Sequence, residues 1–448
     1  MSNHKFIEKI RLSILTVLLY TLTFEEALEF SALPFLYGFY SLCAMAAVPL
    51  FFFDTVRKLI KKSGLTNNYI AVAAGIVYAV SGLIGYSHYH YQSLSNTLIS
   101  IFDTMRFWLL IFFFYKLFKG FNIEKYASHI VTHVEVISVF MTAAVIADMI
   151  FHIWPRQVHR FGLGSIQIFY QHPTNLAVHC LFLLCMLCLL TRFYKRTFFF
   201  MPLMLFNLFM TLRLRILGLV AVFIMMVIFF VLFDWKLTWV NGTAMAGGAF
   251  LIGGKRFIRY YTSPEALTMA RGQFAYNGWK IAVAEFPFGA GNGTFGSRVA
   301  QRFYSPLYYK YNMYRTAGMD PIWPAYACDT FWPMIMGETG FLGLAAYLVM
   351  VGWLFLKVQR LRARSVWIYL AAMTAVAYEM LETTGALAFS DVTAVSIAFV
   401  FGLIFGMEYT QESSEFLKGA FRIKNRTENT VNEVDEGSRL EGAETYEV

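Results

Sequence analysis

Residues 174–191 read TNLAVHCLFLLCMLCLLT, an apolar run that contains no Asp, Glu, Lys or Arg. A helix needs about twenty predominantly apolar residues to cross a lipid bilayer. Similar runs recur along the 448-residue chain, in which 58% of residues are hydrophobic and only 15% are charged. Soluble domains have about 45–50% apolar and about 25% charged residues, so this composition excludes an ordinary soluble protein. The sequence predicts an all-α polytopic membrane protein.

We predict about twelve transmembrane helices from these runs. Their spans are residues 11–31, 34–53, 68–87, 97–117, 129–153, 174–191, 198–213, 216–234, 237–254, 330–356, 366–385 and 391–409. One large, partly helical loop, residues 255–328, separates helices 9 and 10, so that residues 1–254 hold nine helices and residues 329–410 hold three. Residues 411–448 are poor in apolar side chains, which predicts a disordered cytoplasmic tail.

Lysine and arginine in short connections indicate the orientation, because they accumulate on the cytoplasmic side of a membrane. By this helix count, basic connections at residues 57–62, 116–125, 192–196 and 357–364 all fall on one side. We therefore expect both termini in the cytoplasm and the 255–328 loop outside it.

Three outer segments nevertheless carry arginine: residues 156–171, the short turn between helices 7 and 8, and the 255–328 loop. That loop holds nine Lys/Arg against three acids. A guanidinium group stays charged and offers a planar fork of donors that suits phosphate and diphosphate. For a single arginine a lipid-headgroup contact is the simpler interpretation, but the set favours an anionic ligand. Its members are Arg160, Arg213, Arg215 and Arg271.

Several carboxylates lie in or beside the apolar runs. Asp329 stands where the chain re-enters the membrane, where it could act as a general base or simply cap a helix. Glu338 lies deeper, and an acid inside a membrane is a functional candidate by default. Other acids could line an ion path or pair internally; they are Asp103, Glu135, Asp148, Glu379, Glu382 and Asp391.

The long loop also contains the glycine run Pro287-Phe288-Gly289-Ala290-Gly291-Asn292-Gly293 and nine tyrosines. Glycines let backbone N–H groups approach an anion, although the run lacks a nucleotide-binding fingerprint and could be only a turn. Aromatic rings suit stacking on sugars, although aromatic belts at membrane interfaces have the same composition. The residues predicted to contact a glycan are Trp279, Gly289, Gly291, Tyr308 and Glu338.

The five cysteines do not indicate a disulfide framework. Four of them lie inside apolar runs, where a free thiol behaves as a small hydrophobe, and the sequence has no C-x2-C pair matched by a second C-x2-C pair, the spacing typical of a structural metal site. We expect no metal, no other cofactor and no nucleic-acid partner.

The motifs follow a recognisable order along the chain. They are Arg160 with His172-Pro173-Thr174-Asn175, then Thr211-Leu212-Arg213-Leu214-Arg215, then Arg271 with Trp279 and Pro287-x-Gly289-x-Gly291, and finally Asp329 with Gly337-Glu338-Thr339-Gly340-Phe341-Leu342-Gly343. Over roughly residues 130–410 the chain resembles the O-antigen polymerase and O-antigen ligase family of membrane glycosyltransferases. The resemblance implies a saccharide donor linked to undecaprenyl diphosphate, an active site at the outer face of the cytoplasmic (inner) membrane, and arginines that hold the diphosphate.

The chain departs from the ligase pattern in two places. The family's ligases usually carry a His-Asn pair, with the His as proposed base, where this chain has Asp329-Thr330. Arg213-Leu214-Arg215 replaces the usual Ser-Arg at the helix tip. We therefore predict a metal-independent polymerase that joins lipid-linked repeat units into O-antigen, capsule or exopolysaccharide, with Asp329, Arg215 and Arg271 as catalytic residues.

Other functions stay open at this point. Within the enzyme class, the alternatives are a ligase that transfers the glycan to lipid A core and a protein O-oligosaccharyltransferase. From a different class, a transporter or flippase of lipid-linked saccharides would use the intramembrane acids. Expected partners are the lipid-linked saccharide and membrane lipids, and a chain-length regulator is an option.

Overall fold

The chain is mostly helical. The computed structural model describes residues 2–31, 36–60, 68–156, 158–391 and 393–409, so the predicted tail at 411–448 lies outside the described residues. The helices are α1 Ser2–Thr23, α2 Glu25–Ser31, α3 Leu36–Ile60, α4 Asn68–Tyr89, α5 Leu94–Leu117, α6 Ile123–Phe151, α7 Pro173–Thr191, α8 Met201–Met210, α9 Leu214–Met226, α10 Trp239–Tyr261, α11 Ala270–Ala284, α12 Arg298–Arg302, α13 Pro306–Lys310, α14 Trp332–Leu361, α15 Val366–Glu382 and α16 Ala394–Gly406. Two short strands, β1 His159–Arg160 and β2 Leu163–Gly164, pair antiparallel and form a hairpin.

Helices long and apolar enough to cross a membrane are present, which supports the predicted class. Within the described residues seven segments meet that test: Gly38–Thr55, Tyr69–Tyr89, Leu94–Leu117, Ile123–Phe151, Pro173–Thr191, Leu214–Leu232 and Trp332–Leu361. Other predicted spans also contain helices, but α8 has only 10 residues, α16 has 13 and α15 has 17. The count of twelve spanning helices stays a prediction.

The apolar run at residues 174–191 becomes the central helix, α7. Nearly all of its side chains are buried, and it packs against α6, α8, α15 and α16. A helix that is apolar on every face is stable only where other apolar groups surround it. The feature that predicts the class of the protein therefore also forms the middle of the bundle.

The stretch predicted as a partly helical loop contains several helical segments. α10 continues to Tyr261, so residues 255–261 of that stretch are helical. A further helix, α11, lies within the predicted loop and packs against α14. We call residues 262–331 the outer segment. Its buried aromatic rings form a small core, in which the ring of Phe274 lies 5.0 Å from that of Phe295 and 6.1 Å from that of Tyr308.

The glycine run packs between α4 and α14. The N–H of Ala290 donates to Gly337 O at 3.0 Å, and the N–H of Gly291 donates to Glu338 O at 2.8 Å. α14 is interrupted at Gly340, whose φ of 63° and ψ of −164° are not helical. A Cβ on Gly340 would lie 2.2 Å from Pro287 O. Glycine is needed here because two backbone segments touch.

Polar contacts collect at both ends of the helices. At one end lie three ion pairs with N–O distances of 2.6 Å: Lys116–Asp54, Lys125–Glu8 and Arg362–Asp234. The predicted outer arginines lie at the other end: Arg160 lies between α6 and α7, Arg213 caps α9, and Arg215 and Arg271 lie in the first turns of α9 and α11. Which end faces the cytoplasm stays a prediction.

Candidate functional site

Five parts of the chain meet at the arginine end of the bundle: the β1–β2 hairpin, the turn before α9, the end of α10, the start of α11 and the residues after α15. The turn is tight, because α8 ends at Met210 and α9 begins at Leu214. Leu212 takes a left-handed backbone with φ of 50°, and Arg213 becomes the N-cap of α9. The sequence predicts the turn at Leu214 and Arg215, whereas the structure has it at residues 211–213. The turn places Arg213 and Arg215 at this end of the bundle.

Two ion pairs lie side by side in the site. Arg271 Nη2 is 3.0 Å from Asp329 Oδ2, and its guanidinium carbon lies 4.7 Å from the centre of the Tyr260 ring. Arg215 Nη1 is 2.8 Å from Glu382 Oε2. Asp329, the predicted general base, is therefore in direct contact with Arg271, which is predicted to bind the diphosphate.

Gly385, just beyond the end of α15, lies between these two pairs. Its carbonyl oxygen accepts a hydrogen bond from Arg271 Nη2 at 3.3 Å. A Cβ at this position would stand 3.1 Å from both Arg215 Nη1 and Arg271 Cζ, closer than ordinary contact. The missing side chain makes room for two guanidinium groups. Sequence reasoning missed this residue, because a glycine after a helix predicts only a cap.

Arg160 and Arg213 complete the set. Arg160 Nη1 donates to Leu212 O beside the tight turn, and Arg213 Nη2 donates to His172 Nε2 at 2.6 Å. Burial, and then the charges of Arg213 and Arg215, lower the pKa of His172 to about 4. His172 is therefore neutral near pH 7 and can accept from Arg213. Sequence reasoning included His172 in a motif without giving it this role.

Asp329 is suited to proton transfer. Its side chain keeps 29% of its surface exposed beside Arg271. Burial raises the pKa of this carboxyl, and the charges of Arg271 and Arg215 oppose that rise. In its ionised form, a partly buried carboxylate beside arginines can accept a proton from a hydroxyl held next to it. The structure thus brings Asp329 and the four predicted arginines together at one end of the bundle.

Four of the five predicted glycan contacts need correction. Tyr308 is fully buried, and its hydroxyl accepts from the N–H of Gly296 at 3.0 Å. Glu338 is also fully buried, and its Oε1 accepts from the N–H of Phe295 at 3.0 Å. Gly289 and Gly291 are buried where the glycine run crosses α14 and α4. These residues support the outer segment from inside and cannot stack on a sugar.

Trp279 differs from those four residues. Its side chain is 56% exposed on α11, and its ring meets Phe341 edge-on at 5.2 Å between centroids. It is the predicted glycan residue that a ligand could reach from solvent or from the membrane interface.

Most of the intramembrane acids are paired. The ion pairs are Asp103–Arg106, Glu135–Arg196, Asp148–Arg156, Glu382–Arg215 and Asp391–Arg298. Glu379 differs, because neither of its carboxylate oxygens has a hydrogen-bond partner among the described residues. Within the same residues, no group of three or more His, Cys, Asp or Glu side chains is arranged to hold a metal ion.

No protein-family model matches this chain, and no curated protein matches its sequence. The chemistry of the arginine end is therefore the main guide to function.

Proposed function

We propose that this protein polymerises saccharide repeat units carried on undecaprenyl diphosphate into a surface polysaccharide, at the outer face of the cytoplasmic membrane. The observation that carries the proposal is the meeting of Arg160, Arg213, Arg215 and Arg271 with Asp329 at one end of a helix bundle.

The four arginines suit a diphosphate more than a single charge would. Arg213 and Arg215 come from one turn, Arg160 from a hairpin and Arg271 from the outer segment, so three separate parts of the chain supply the donors. Arginine is favoured for phosphate because its donors match pairs of phosphate oxygens. The site also lies at the helix ends, where a polyprenyl chain would extend into the bilayer while its diphosphate meets the arginines.

Asp329 supplies the second half of the chemistry. The acceptor hydroxyl attacks the anomeric carbon of the donor sugar, and a new C–O bond forms as the bond from that carbon to the diphosphate oxygen breaks. The hydroxyl proton passes to the Asp329 carboxylate, and the electron pair of the broken bond stays on the departing polyprenyl diphosphate. The leaving group is already activated, so orientation and charge neutralisation by the arginines supply most of the rate enhancement.

Alanine variants of Arg160, Arg215, Arg271 and Asp329 test the proposal in cells. We expect each to shorten or abolish surface glycan on gels while the amount of membrane-inserted protein stays normal. Normal chain length in all four variants, at normal protein levels, would overturn the site. Full-length lipid-linked glycan that never reaches its acceptor would instead indicate a ligase.

Glu379 favours a second candidate, a transporter of lipid-linked saccharides. Its side chain is 1% exposed, and its oxygens have no hydrogen-bond partner in the described part of the chain. An intramembrane acid without a fixed partner could take up and release a proton during transport. The charged residues beside it, Glu382 and Asp391, are in ion pairs with Arg215 and Arg298, which do not favour such cycling.

A further inference from the structure

Arg256 lies on α10, four residues before Tyr260, so the two side chains share one face of the helix. The ring of Tyr260 lies 4.7 Å from the guanidinium carbon of Arg271. The next residue, Tyr261, ends α10 and is tied to the same place, because its hydroxyl donates to Thr384 O at 2.8 Å. This face of α10 is therefore directed at the site, and Arg256 is on it.

The surroundings of Arg256 are positive. It is exposed, and among the described residues it makes no hydrogen bond or ion pair. Burial, and then the charge of Arg256, lower the pKa of the Arg160 guanidinium. Arg256 also lies within electrostatic range of Arg213. Arg256 thus lies near Arg160 and Arg213 and has no carboxylate contact of its own. Such a group of cations is suited to bind an anion that reaches all three.

The charges of the site do not balance. The guanidinium groups are those of Arg160, Arg213, Arg215, Arg256 and Arg271, and the carboxylates are those of Asp329 and Glu382. Asp391 also lies near Glu382, but its ion pair with Arg298 adds no net charge. With five positive groups and two negative ones, the site has a net charge of +3. His172 adds none near pH 7, because its pKa lies at about 4.

This imbalance fits the product of glycosyl transfer better than the substrate. The diphosphate of an intact donor is a diester, and it gains about one negative charge when its bond to the sugar breaks. Groups that stabilise charge developing in the transition state accelerate the reaction, whereas groups that bind substrate and transition state equally do not. An additional arginine at this position acts on the departing group.

We infer that Arg256 is a further ligand of the diphosphate and that this five-arginine site binds the departed polyprenyl diphosphate more tightly than the intact donor. The inference rests on the proposed function. It adds to that function Arg256 as a ligand, a preference for the more negatively charged product, and inhibition by the released polyprenyl diphosphate. Arg256 holds the oxygen on which charge develops, and Arg215 and Arg271 remain beside the carboxylates.

Binding of inorganic pyrophosphate and inorganic phosphate to the purified full-length protein in zwitterionic nanodiscs tests this directly. Arg256→Ala should weaken pyrophosphate binding about tenfold, as expected for the loss of a charge-assisted hydrogen bond. Arg256→Lys should restore part of the loss. Arg259→Ala is the matched control, because Arg259 lies on the same helix but points to Glu265, 3.9 Å away; we expect less than a twofold change.

The outcomes separate this inference from the function on which it rests. If pyrophosphate binds the wild type and Arg271→Ala weakens it while Arg256→Ala does not, the role of Arg256 is wrong and the diphosphate site stands. If pyrophosphate binds neither the wild type nor any variant, the proposed function fails with it. If phosphatidylglycerol in the nanodisc abolishes pyrophosphate binding, the cluster is a lipid-headgroup site and both proposals are overturned.

Turnover provides a second readout. Arg256→Ala should lower kcat by about tenfold with little change in the KM for donor, since the lost contact acts mainly after the bond begins to break. Inhibition by added undecaprenyl diphosphate should weaken by a similar factor. A rise in KM at unchanged kcat would show that Arg256 binds the intact donor and would contradict the charge preference.

Discussion

At Gly385 the missing side chain leaves room for two guanidinium groups, whereas at Gly340 it lets two backbone segments touch. A Cβ on Gly385 would stand 3.1 Å from side-chain atoms of Arg215 and Arg271, and a Cβ on Gly340 would stand 2.2 Å from Pro287 O. The first glycine borders a partly exposed charged site, and the second is buried in the scaffold. Glycines that look alike in sequence thus have different functions here, and substitutions should separate activity from stability.

The largest effect on activity is expected at Arg271, which joins Asp329 to the site. Arg271→Gln should reduce glycosyl transfer by about 10²–10³-fold, as found for the loss of one preorganised charge-stabilising donor. Arg315→Gln is the control, because Arg315 is exposed in the same outer segment beside Tyr314. Comparable activity in the two variants, measured per amount of folded protein, would disprove the role of Arg271.

The largest effect on stability is expected at Gly340. Gly340→Ala combines a left-handed backbone with a severe backbone clash, and it should cost ~3 kcal/mol or more. Gly352→Ala on the same helix is the control, because no atom lies within 4 Å of its added Cβ. Thermal unfolding in detergent should show a clearly lower Tm for Gly340→Ala alone. Equal Tm values would show that the glycine run is not a structural contact.

The acid limb of the pH–rate profile reports on Asp329. The carboxyl accepts a proton only when ionised, so the rate should fall as pH drops through its pKa. Burial raises that pKa, and Arg271 is the main charge that lowers it. In the residual activity of Arg271→Gln the acid limb should therefore move to higher pH, and in Arg271→Lys it should move less. Identical acid limbs would mean that another group is the base.

The smallest effect is expected at Glu379, which distinguishes the enzyme from a transporter. Glu379→Gln keeps the shape of the side chain and removes its proton exchange. Polymerisation should change less than about twofold, because Glu379 contacts neither Asp329 nor the arginines through any hydrogen bond in the described residues. Loss of surface glycan together with retained lipid-linked donor on the inner leaflet would favour transport.

The sequence predicts the arginine end well because hydrophobic runs determine which connections share a side of the membrane. The predicted helix count places four arginines in connections on the same side of the membrane: Arg160, Arg213, Arg215 and Arg271. The structure brings these four side chains together. The contact of Gly385 with two of them has no sequence signal. It depends on how the end of α15 approaches α11, and that approach follows from packing across more than a hundred residues of chain.

For the aromatic and glycine-rich parts of the outer segment, the sequence is a poor guide to which side chains a ligand could reach. Tyrosines in a loop predict a sugar platform and a small hydrophobic core equally well, and only burial distinguishes the two. Tyr308 proves to be core, with no exposed surface, whereas Trp279 keeps 56% of its surface exposed. Composition identifies the segment as unusual, but it does not show which of its rings face inward.

The most direct test supplies purified full-length protein in nanodiscs with a synthetic repeat unit on undecaprenyl diphosphate, in the presence of a metal chelator. The account predicts a ladder of lengthening products and release of one polyprenyl diphosphate for each new linkage, both reduced about 10²–10³-fold with Arg271→Gln. An unchanged donor in the presence of folded wild-type protein would contradict the account.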